Sequence, residues 1–233
     1  MLELLRYDLG ACVAVVTVSE RSDGDVHPVQ VLHDTLVARQ LAATASRWVM
    51  LDQVHGVVQY RSGPGTPLTS IVGVGDVLVG EAPIEGRVTR PVAVWAADCA
   101  PVMLFDRHGV PVACHAGWRG LAAGVIDVAA AAVARPVVAV VGPCIHPCCY
   151  EFGERELADV AAGVGADVEG IAATTSSGAL ALDVPAAVTA ALARHDIDVV
   201  IGGACTACDD RWFSHRRGDV ERHAMVGWSE VAS

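Results

Sequence analysis

The stretch that decides the fold is residues 92–134, VAVWAADCAPVMLFDRHGVPVACHAGWRGLAAGVIDVAAAAVA. It holds three apolar runs, Val92–Ala97, Val102–Phe105 and Val110–Cys114, and their near-continuous apolar character is typical of central strands buried on both faces. The alanine-rich segment Gly120–Ala134 follows them and ends just before a proline, as a helix would. Strands followed by a helix predict an α/β fold.

The same two patterns recur along the rest of the chain. Further strands are predicted at Cys12–Val18, Trp48–Val54, Val137–Val141 and Val199–Ile201, further helices at Val31–Ala45, Glu154–Ala162 and Val184–Arg194, and surface loops at 62–69 and 172–178. Because no shift in composition marks a boundary, we expect one compact domain over residues 1–233. Its class is α/β (α+β), with a mixed β-sheet core covered by helices.

Composition excludes several classes of protein. Of the 233 residues 53% are apolar and 18% charged, which excludes a disordered chain. The 27 acidic residues outnumber the 16 basic ones, which are all arginine, so neither nucleic acid nor an anionic membrane is an expected partner. Charges and a proline interrupt the longest apolar stretch, Leu121–Val141, and the amino terminus lacks an export signal. We expect a soluble, cytoplasmic protein.

Three residues at the ends of apolar strands form a candidate metal site. His55, Cys99 and His115 each follow such a strand, and each is backed by a small or turn-forming residue. Two imidazoles and a thiolate suit zinc, and three protein ligands leave the open position of a catalytic site. The alternative is that each is an ordinary core or surface residue, since cysteine is among the most commonly buried residue types.

The segment His115–Gly120, HAGWRG, ends a strand and opens the predicted helix. A helix start attracts anions, and Arg119 adds a cation there that a phosphate or carboxylate would offset. The alternative is a surface arginine paired with a neighbouring acid. Asp98 could orient a ligand, act as a general acid or base, or simply form a turn. His215 with Arg216 could protonate a leaving group or bind an anion, or belong to a solvated loop.

The remaining cysteines could form a second cluster. Cys205 and Cys208 have the spacing of metal ligands, whereas Cys144, Cys148 and Cys149 lie on a proline-containing turn. The sequence favours packing thiols here, with a four-cysteine zinc site as the alternative.

Six motifs, in the same order along the chain, resemble the laccase-domain or YfiH family, also called peptidoglycan-editing-factor-like. The matching stretches are QVHG at 53–56, ADCAPV at 97–102, HAGWRG at 115–120, GPCIHPCCYE at 142–151, CT at 205–206 and FSHRR at 213–217. They cover most of the chain, and HAGWRG together with ADC is the most specific combination.

The resemblance implies a fold similar to the catalytic domain of deamidating toxins of the cytotoxic necrotizing factor type. It implies an active-site zinc, with copper less favoured, held by His55, Cys99 and His115. It also implies phosphorolysis of adenosine, inosine, guanosine and methylthioadenosine, and deamination of adenosine. The expected partners are purine nucleosides and phosphate, with no obligate protein partner.

Roles for the other residues follow from these reactions. We assign catalytic roles to Asp98, Cys99 and His215, and binding of substrate or phosphate to Gln53, Arg119 and Arg216.

Two departures from the family pattern bear on phosphate. His33-Asp34 stands where relatives carry Asn-Arg, so Arg39 or Arg47 would have to substitute, and Val220-Glu221-Arg222 replaces Thr-Gly-Arg.

Three other functions stay open at this point. Cys99 could be the nucleophile of a thiol hydrolase, acting on an amide or cell-wall-related substrate, with His115 as its base. A copper-dependent polyphenol oxidase is disfavoured because none of the nine histidines forms a His-x-His pair. The third is a non-catalytic metal-binding protein.

Overall fold

The computed structural model describes residues 1–85 and 90–232, and fourteen strands lie within them. They are β1 (Leu2–Asp8), β2 (Cys12–Val18), β3 (Met50–Asp52), β4 (Gln59–Arg61), β5 (Ile71–Val74), β6 (Val77–Val79), β7 (Val92–Ala96), β8 (Ala100–Asp106), β9 (Pro111–Ala116), β10 (Pro136–Val141), β11 (Ala172–Thr174), β12 (Leu180–Leu182), β13 (Asp198–Ile201) and β14 (His223–Val231).

Six α-helices connect these strands in the described residues. They are α1 (His33–Thr44), α2 (Trp118–Ala122), α3 (Val125–Ala131), α4 (Glu154–Val164), α5 (Val168–Ile171) and α6 (Val184–Ala193). Two 3-10 turns are formed by Arg21–Asp23 and Pro147–Cys149.

Two sheets dominate the architecture. The first has four antiparallel strands in the order β1-β2-β14-β7. The second has six strands in the order β13-β10-β8-β9-β6-β4, antiparallel in the middle and parallel at both edges. The pairs β3-β5 and β11-β12 form two small sheets. The six-stranded sheet is therefore mixed in direction, as the sequence predicts, whereas the four-stranded sheet is antiparallel throughout.

The second sheet is buried on both faces. Met103 and Phe105 of β8 pack against the first sheet, whereas Leu104 faces the helices, because successive side chains of a strand point to opposite sides. The two sheets approach so closely at Gly227 of β14 that a Cβ there would lie 2.5 Å from the Sδ of Met103. The layers are thus sheet, sheet and helices, which confirms the predicted mixed α/β class.

The predicted strands are largely confirmed, but the helix predicted over Gly120–Ala134 is wrong. The chain forms two short helices there, α2 and α3, separated by Gly124 with a φ of 82° in the left-handed region that glycine tolerates. Helix α4 crosses at this break, and a Cβ on its Gly163 would lie 2.3 Å from the carbonyl oxygen of Ala122. The segment 172–178, predicted as a loop, begins with strand β11. Strands β1 and β14 were not predicted from the sequence.

No helix formed by residues 1–85 and 90–232 has both the length and the apolar character needed to span a bilayer.

A buried histidine in β14 couples folding to pH. His223 is fully buried, with its ring centroid 5.8 Å from that of Trp212, and burial lowers its pKa to about 4. In the unfolded chain the pKa of a histidine is about 6.5. Between this pH and about 4 the unfolded state therefore binds a proton that the native state does not. The free energy of unfolding should therefore fall as the pH drops from about 6.5 towards 4.

We predict that urea unfolding at pH 7 and pH 5 will show this loss of stability. The contribution of His223 to the difference is about 2 kcal/mol. When the pH drops from 7 to 5, the free energy of unfolding of His223→Gln should therefore fall by about 2 kcal/mol less than that of the native chain. His108→Gln, at an exposed ring, should behave as the native chain does. An unchanged pH dependence in His223→Gln would contradict the assignment.

Candidate functional site

The structure brings the three predicted metal ligands together. His55 lies in the loop after β3, Cys99 in the turn between β7 and β8, and His115 within β9. One ligand atom from each lies within 4.8 Å of the others, and the Nε2 of His55 is 3.8 Å from the Sγ of Cys99. The two imidazole rings meet edge to face, with centroids 4.7 Å apart.

The backbone is strained at the site. His55 has a φ of 61° and Asp98 a φ of 86°, both in the left-handed region that residues other than glycine seldom adopt. Each such residue costs on the order of 1–3 kcal/mol and persists only where its surroundings fix it. At His55 the buried carboxylate of Asp76 does so, because it accepts the backbone N–H groups of His55 at 2.9 Å and Gly56 at 2.7 Å.

The same carboxylate orients the third ligand. The Nδ1 of His115 and the Oδ1 of Asp76 are 2.9 Å apart, both side chains are buried, and the ring Nδ1–H donates to the carboxylate. This leaves Nε2 as the nitrogen that can bind a ligand, an arrangement common among metal-binding histidines. The sequence reading missed Asp76, although a lone acid before the apolar strand Val77–Val79 was a usable signal.

The charges of the site favour a thiolate at neutral pH. Burial raises the pKa of the Cys99 thiol, but His115 and His55 outweigh it and lower the pKa to about 6. Burial lowers the pKa of His115, but the Cys99 thiolate and the Asp76 carboxylate raise it to about 9. Burial also raises the pKa of Asp76, and hydrogen bonds from His115 and the His55 loop bring it below its ordinary value.

Glycine is required where β9 leaves the site. A Cβ at Gly117 would lie 2.7 Å from the Cδ2 of His55 and 3.2 Å from the Sγ of Cys99. The backbone therefore approaches both ligands too closely for any side chain. Two imidazoles and a thiolate held in this way could bind a metal ion through three protein ligands.

Two cavities adjoin the three ligands. The larger, of about 340 Å³, has Cys99 in its wall beside Trp118, Arg119, Tyr150, His215 and Arg216. The smaller, of about 270 Å³, also has His55 and Cys99 in its wall, and it is lined further by His115, His27, Trp95 and Arg222 among others. The two cavities therefore share a wall that contains His55 and Cys99.

Asp98 is a hub of hydrogen bonds at the edge of the larger cavity. Its Oδ1 accepts the hydroxyl of Thr206 at 2.6 Å, and its Oδ2 accepts the backbone N–H of Arg216 at 2.6 Å. Its carbonyl oxygen accepts the N–H of Ile145 at 2.8 Å. Both carboxylate oxygens are thus engaged in holding loops together. The sequence reading gave Thr206 no role.

The two predicted anion-binding arginines reach the larger cavity. The guanidinium of Arg119 lies 4.5 Å from the ring centroid of Trp118, and that of Arg216 lies 5.4 Å from the ring centroid of Tyr150. His215 lines the same space. Its walls therefore combine aromatic rings with two cations.

Gln53 is engaged elsewhere. Its amide Nε2 donates to the carbonyl of Trp95 at 2.7 Å, and its Oε1 accepts the N–H of Trp95 at 3.1 Å. These bonds tie the His55 loop to β7, and among the described residues Gln53 does not line either cavity. Its predicted role in binding substrate stays a prediction.

The arginines suggested as substitutes near His33-Asp34 are also engaged elsewhere. Arg39 donates to the carbonyl of Asp25 and Arg47 to that of Leu68. In the described part of the chain, neither guanidinium lines either cavity.

The fold and the donor set define a class of α/β protein with a candidate metal centre between two cavities. Residues 19–230 match the family model described as multi-copper polyphenol oxidoreductase laccase, and the chain belongs to this family.

Relatives and solved structures agree with this family. The chain is 37% identical to a purine nucleoside phosphorylase of Streptomyces coelicolor, over 78% of this chain and 74% of the relative. It is 34% identical to the purine nucleoside phosphorylase YfiH of Escherichia coli, over 74% and 69% respectively. A crystal structure of protein NMB0706 from Neisseria meningitidis superimposes with a TM-score of 0.75 at 25% identity, covering 98% of this chain and 99% of that one. The similarity to toxins stays a prediction.

Asp76 provides a direct test of the metal centre. Asp76→Asn should weaken zinc binding by about 10–100-fold, because the amide cannot hold the His115 ring and the His55 loop as the carboxylate does. Competition with a chromogenic chelator measures the affinity. Asp106→Asn is the matched control, since this buried carboxylate accepts the turn N–H groups of His108 and Val110 away from the site. Equal affinities in Asp76→Asn and the native chain would refute the arrangement.

Proposed function

We propose that this protein is a zinc-dependent purine nucleoside phosphorylase that also deaminates adenosine. The observation that carries the proposal is the cluster of His55, Cys99 and His115 beside a cavity with two arginines and aromatic walls, which His55 and Cys99 themselves line. Relatives named purine nucleoside phosphorylase, at up to 37% identity among those compared, support it. The substrates proposed are adenosine, inosine, guanosine and methylthioadenosine, with phosphate as the second reactant.

The donor set fits zinc. When bound by His55, Cys99 and His115, zinc supplies a Lewis acid with one open coordination position. Asp76 holds the Nδ1 of the His115 ring, so Nε2 is the nitrogen that would bind the ion, and the low pKa of Cys99 keeps its sulfur ionised.

The chain's own cations would bind phosphate. Arg119 and Arg216 both line the larger cavity, and a guanidinium can hold two phosphate oxygens at once. Stacking on Trp118 and Tyr150 limits the freedom of the two guanidinium groups, so less entropy is lost when phosphate binds.

The nucleoside needs an apolar surface and a proton donor. The rings of Trp118 and Tyr150 offer the surface on which a purine can stack. Of the two predicted proton donors, His215 suits the departing purine better, because both oxygens of Asp98 already accept hydrogen bonds. We therefore assign Asp98 to positioning Arg216 and His215 to proton transfer. We place the reaction in the cytoplasm, where thiols such as Cys99 stay reduced.

A thiol hydrolase is the second candidate function. The Sγ of Cys99 lies beside His55 and His115 in a cavity wall, which is also the arrangement of a nucleophile and its base. Oxidation of phenols by copper is the function that the family description suggests. The metal content and the products separate all three.

The decisive experiment is product analysis on a panel of purine nucleosides. Free base should appear only when phosphate is present, inosine should form from adenosine without it, and the same sample should contain zinc. Turnover by metal-free protein that alkylation abolishes would favour the thiol hydrolase. Copper with phenol oxidation and no base release would favour the oxidase.

Cys99→Ala should lose the zinc of this site and reduce both reactions by at least about 100-fold, since one of three ligands is removed. Cys114→Val is the matched control, because Cys114 lies in β9 beside His115 but points the other way, towards the carbonyl of Val125. Elemental analysis and steady-state rates on the same preparations test this. Full activity in Cys99→Ala would refute the assignment of this ligand.

Arg119→Gln should separate the two reactions. The KM for phosphate should rise about 10–100-fold, the effect of losing charged hydrogen bonds worth about 1.5–3 kcal/mol, while adenosine deamination changes little. Arg155→Gln, at an exposed arginine of α4, should leave both unchanged. Equal losses in both reactions would assign Arg119 to nucleoside binding or folding instead.

A further inference from the structure

Four cysteines outside the site described above come together at one point. Cys148 and Cys149 lie on the 3-10 turn Pro147–Cys149, and Cys205 and Cys208 lie on the loop after β13. Each offers a sulfur, and the four sulfurs lie within 4.8 Å of one another. The sequence reading favoured packing thiols here, but a packing role does not require four sulfurs at one point.

The sulfur separations match a tetrahedral ion better than a disulfide. The Sγ of Cys208 is 3.7 Å from that of Cys148 and 3.3 Å from that of Cys149. A disulfide requires about 2.05 Å. Zinc–sulfur bonds of about 2.3 Å place the sulfurs of a tetrahedron roughly 3.8 Å apart. Cys208 stands at a comparable distance from two sulfurs, as a ligand of a shared ion does.

The surroundings of Cys205 suit a metal-binding thiolate. The backbone N–H of His146 donates to the Sγ of Cys205 at 3.3 Å, which stabilises negative charge on that sulfur. Cys205 and Cys208 have two residues between them on a tight turn, in which the N–H of Cys208 donates to the carbonyl of Cys205. Cys205 is buried and Cys208 exposed, so the cluster is accessible to an ion from solvent.

We propose that Cys148, Cys149, Cys205 and Cys208 bind one structural zinc ion, separate from the ion at His55, Cys99 and His115. Zinc is the metal for four thiolates in a closed tetrahedral site, and the absence of an open position makes this a structural site. Binding replaces the thiol protons, which pass to solvent, so the step needs no oxidant.

The position of the ion would couple it to the larger cavity. The turn that carries Cys148 and Cys149 leads into Tyr150, a wall of that cavity. The loop that carries Cys205 continues into Thr206, whose hydroxyl donates to Asp98. Because one ion would join these two segments, it would fix the position of Tyr150 in the cavity wall relative to Asp98.

Metal content of the purified protein tests the proposal. The protein is prepared under reducing conditions without chelator, and zinc, iron and copper are measured per chain. We expect two zinc ions in the native chain and one each in Cys99→Ala and Cys208→Ser. The double variant should hold none. Cys12→Ser, a buried thiol away from both sites, is the control and should keep two.

The single variant Cys99→Ala makes the test independent of the proposed function. It removes a ligand of the first site only, so its remaining zinc reports on the four cysteines alone. Cobalt replacement adds a second readout, because four thiolates give stronger charge-transfer absorption than one. Cobalt in Cys99→Ala should therefore absorb more strongly in the near ultraviolet than cobalt in Cys208→Ser.

Three results would overturn the proposal. They are Cys99→Ala without zinc, iron in place of zinc in that variant, and a disulfide from Cys208 to Cys148 or Cys149 in the reduced preparation, detected by peptide mass spectrometry. Full activity in Cys99→Ala that still holds one zinc ion would instead contradict the proposed function alone. Because Cys208 is exposed, Cys208→Ser should fold, and circular dichroism verifies this.

Discussion

The carboxylate of Asp76 is the interaction on which the candidate active site depends. It is buried at the start of β6, and its two oxygens accept the His115 ring and the backbone of the His55 loop. Hydrogen bonds to a charged group are worth about 1.5–3 kcal/mol each, enough to offset the left-handed backbone of His55. One side chain thus fixes the direction of one ligand and the position of another. The rings of His115 and His55 in turn lower the pKa of Cys99, the third residue, to about 6.

The arrangement of layers explains how distant segments reach one site. His115 is held inside β9, at the centre of the six-stranded sheet, where both faces are buried. The turn carrying Cys99 joins β7 of the first sheet to β8 of the second, so it lies where the two sheets meet. The site is therefore built at a seam between two rigid layers. Rigid elements hold ligand geometry better than free loops do.

The sequence predicted the three candidate metal ligands better than the residues that hold them in place. His55, Cys99 and His115 stand out because a reactive residue after an apolar run is unusual, and the structure brings them together. Asp76 was missed because its partners lie 21 and 39 residues away, so its place before an apolar strand did not indicate which groups it would bind. The prediction of one helix over the alanine-rich segment was wrong for a related reason. The segment breaks at Gly124, where helix α4 crosses it. Elements set by local pattern were thus predictable, and contacts set by packing were not.

The place of β14 has a consequence for how the protein is made. This strand, formed by residues 223–231, lies between β2 and β7 and completes the first sheet. During synthesis on the ribosome, β2 and β7 emerge long before the strand that joins them. Each must wait with an unpaired edge, exposed to wrong partners, until residues 97–222, which separate β7 from β14, and then β14 itself have been translated. The first sheet therefore cannot close while the segments before β14 emerge, and it is completed only once residues 223–231 have been translated.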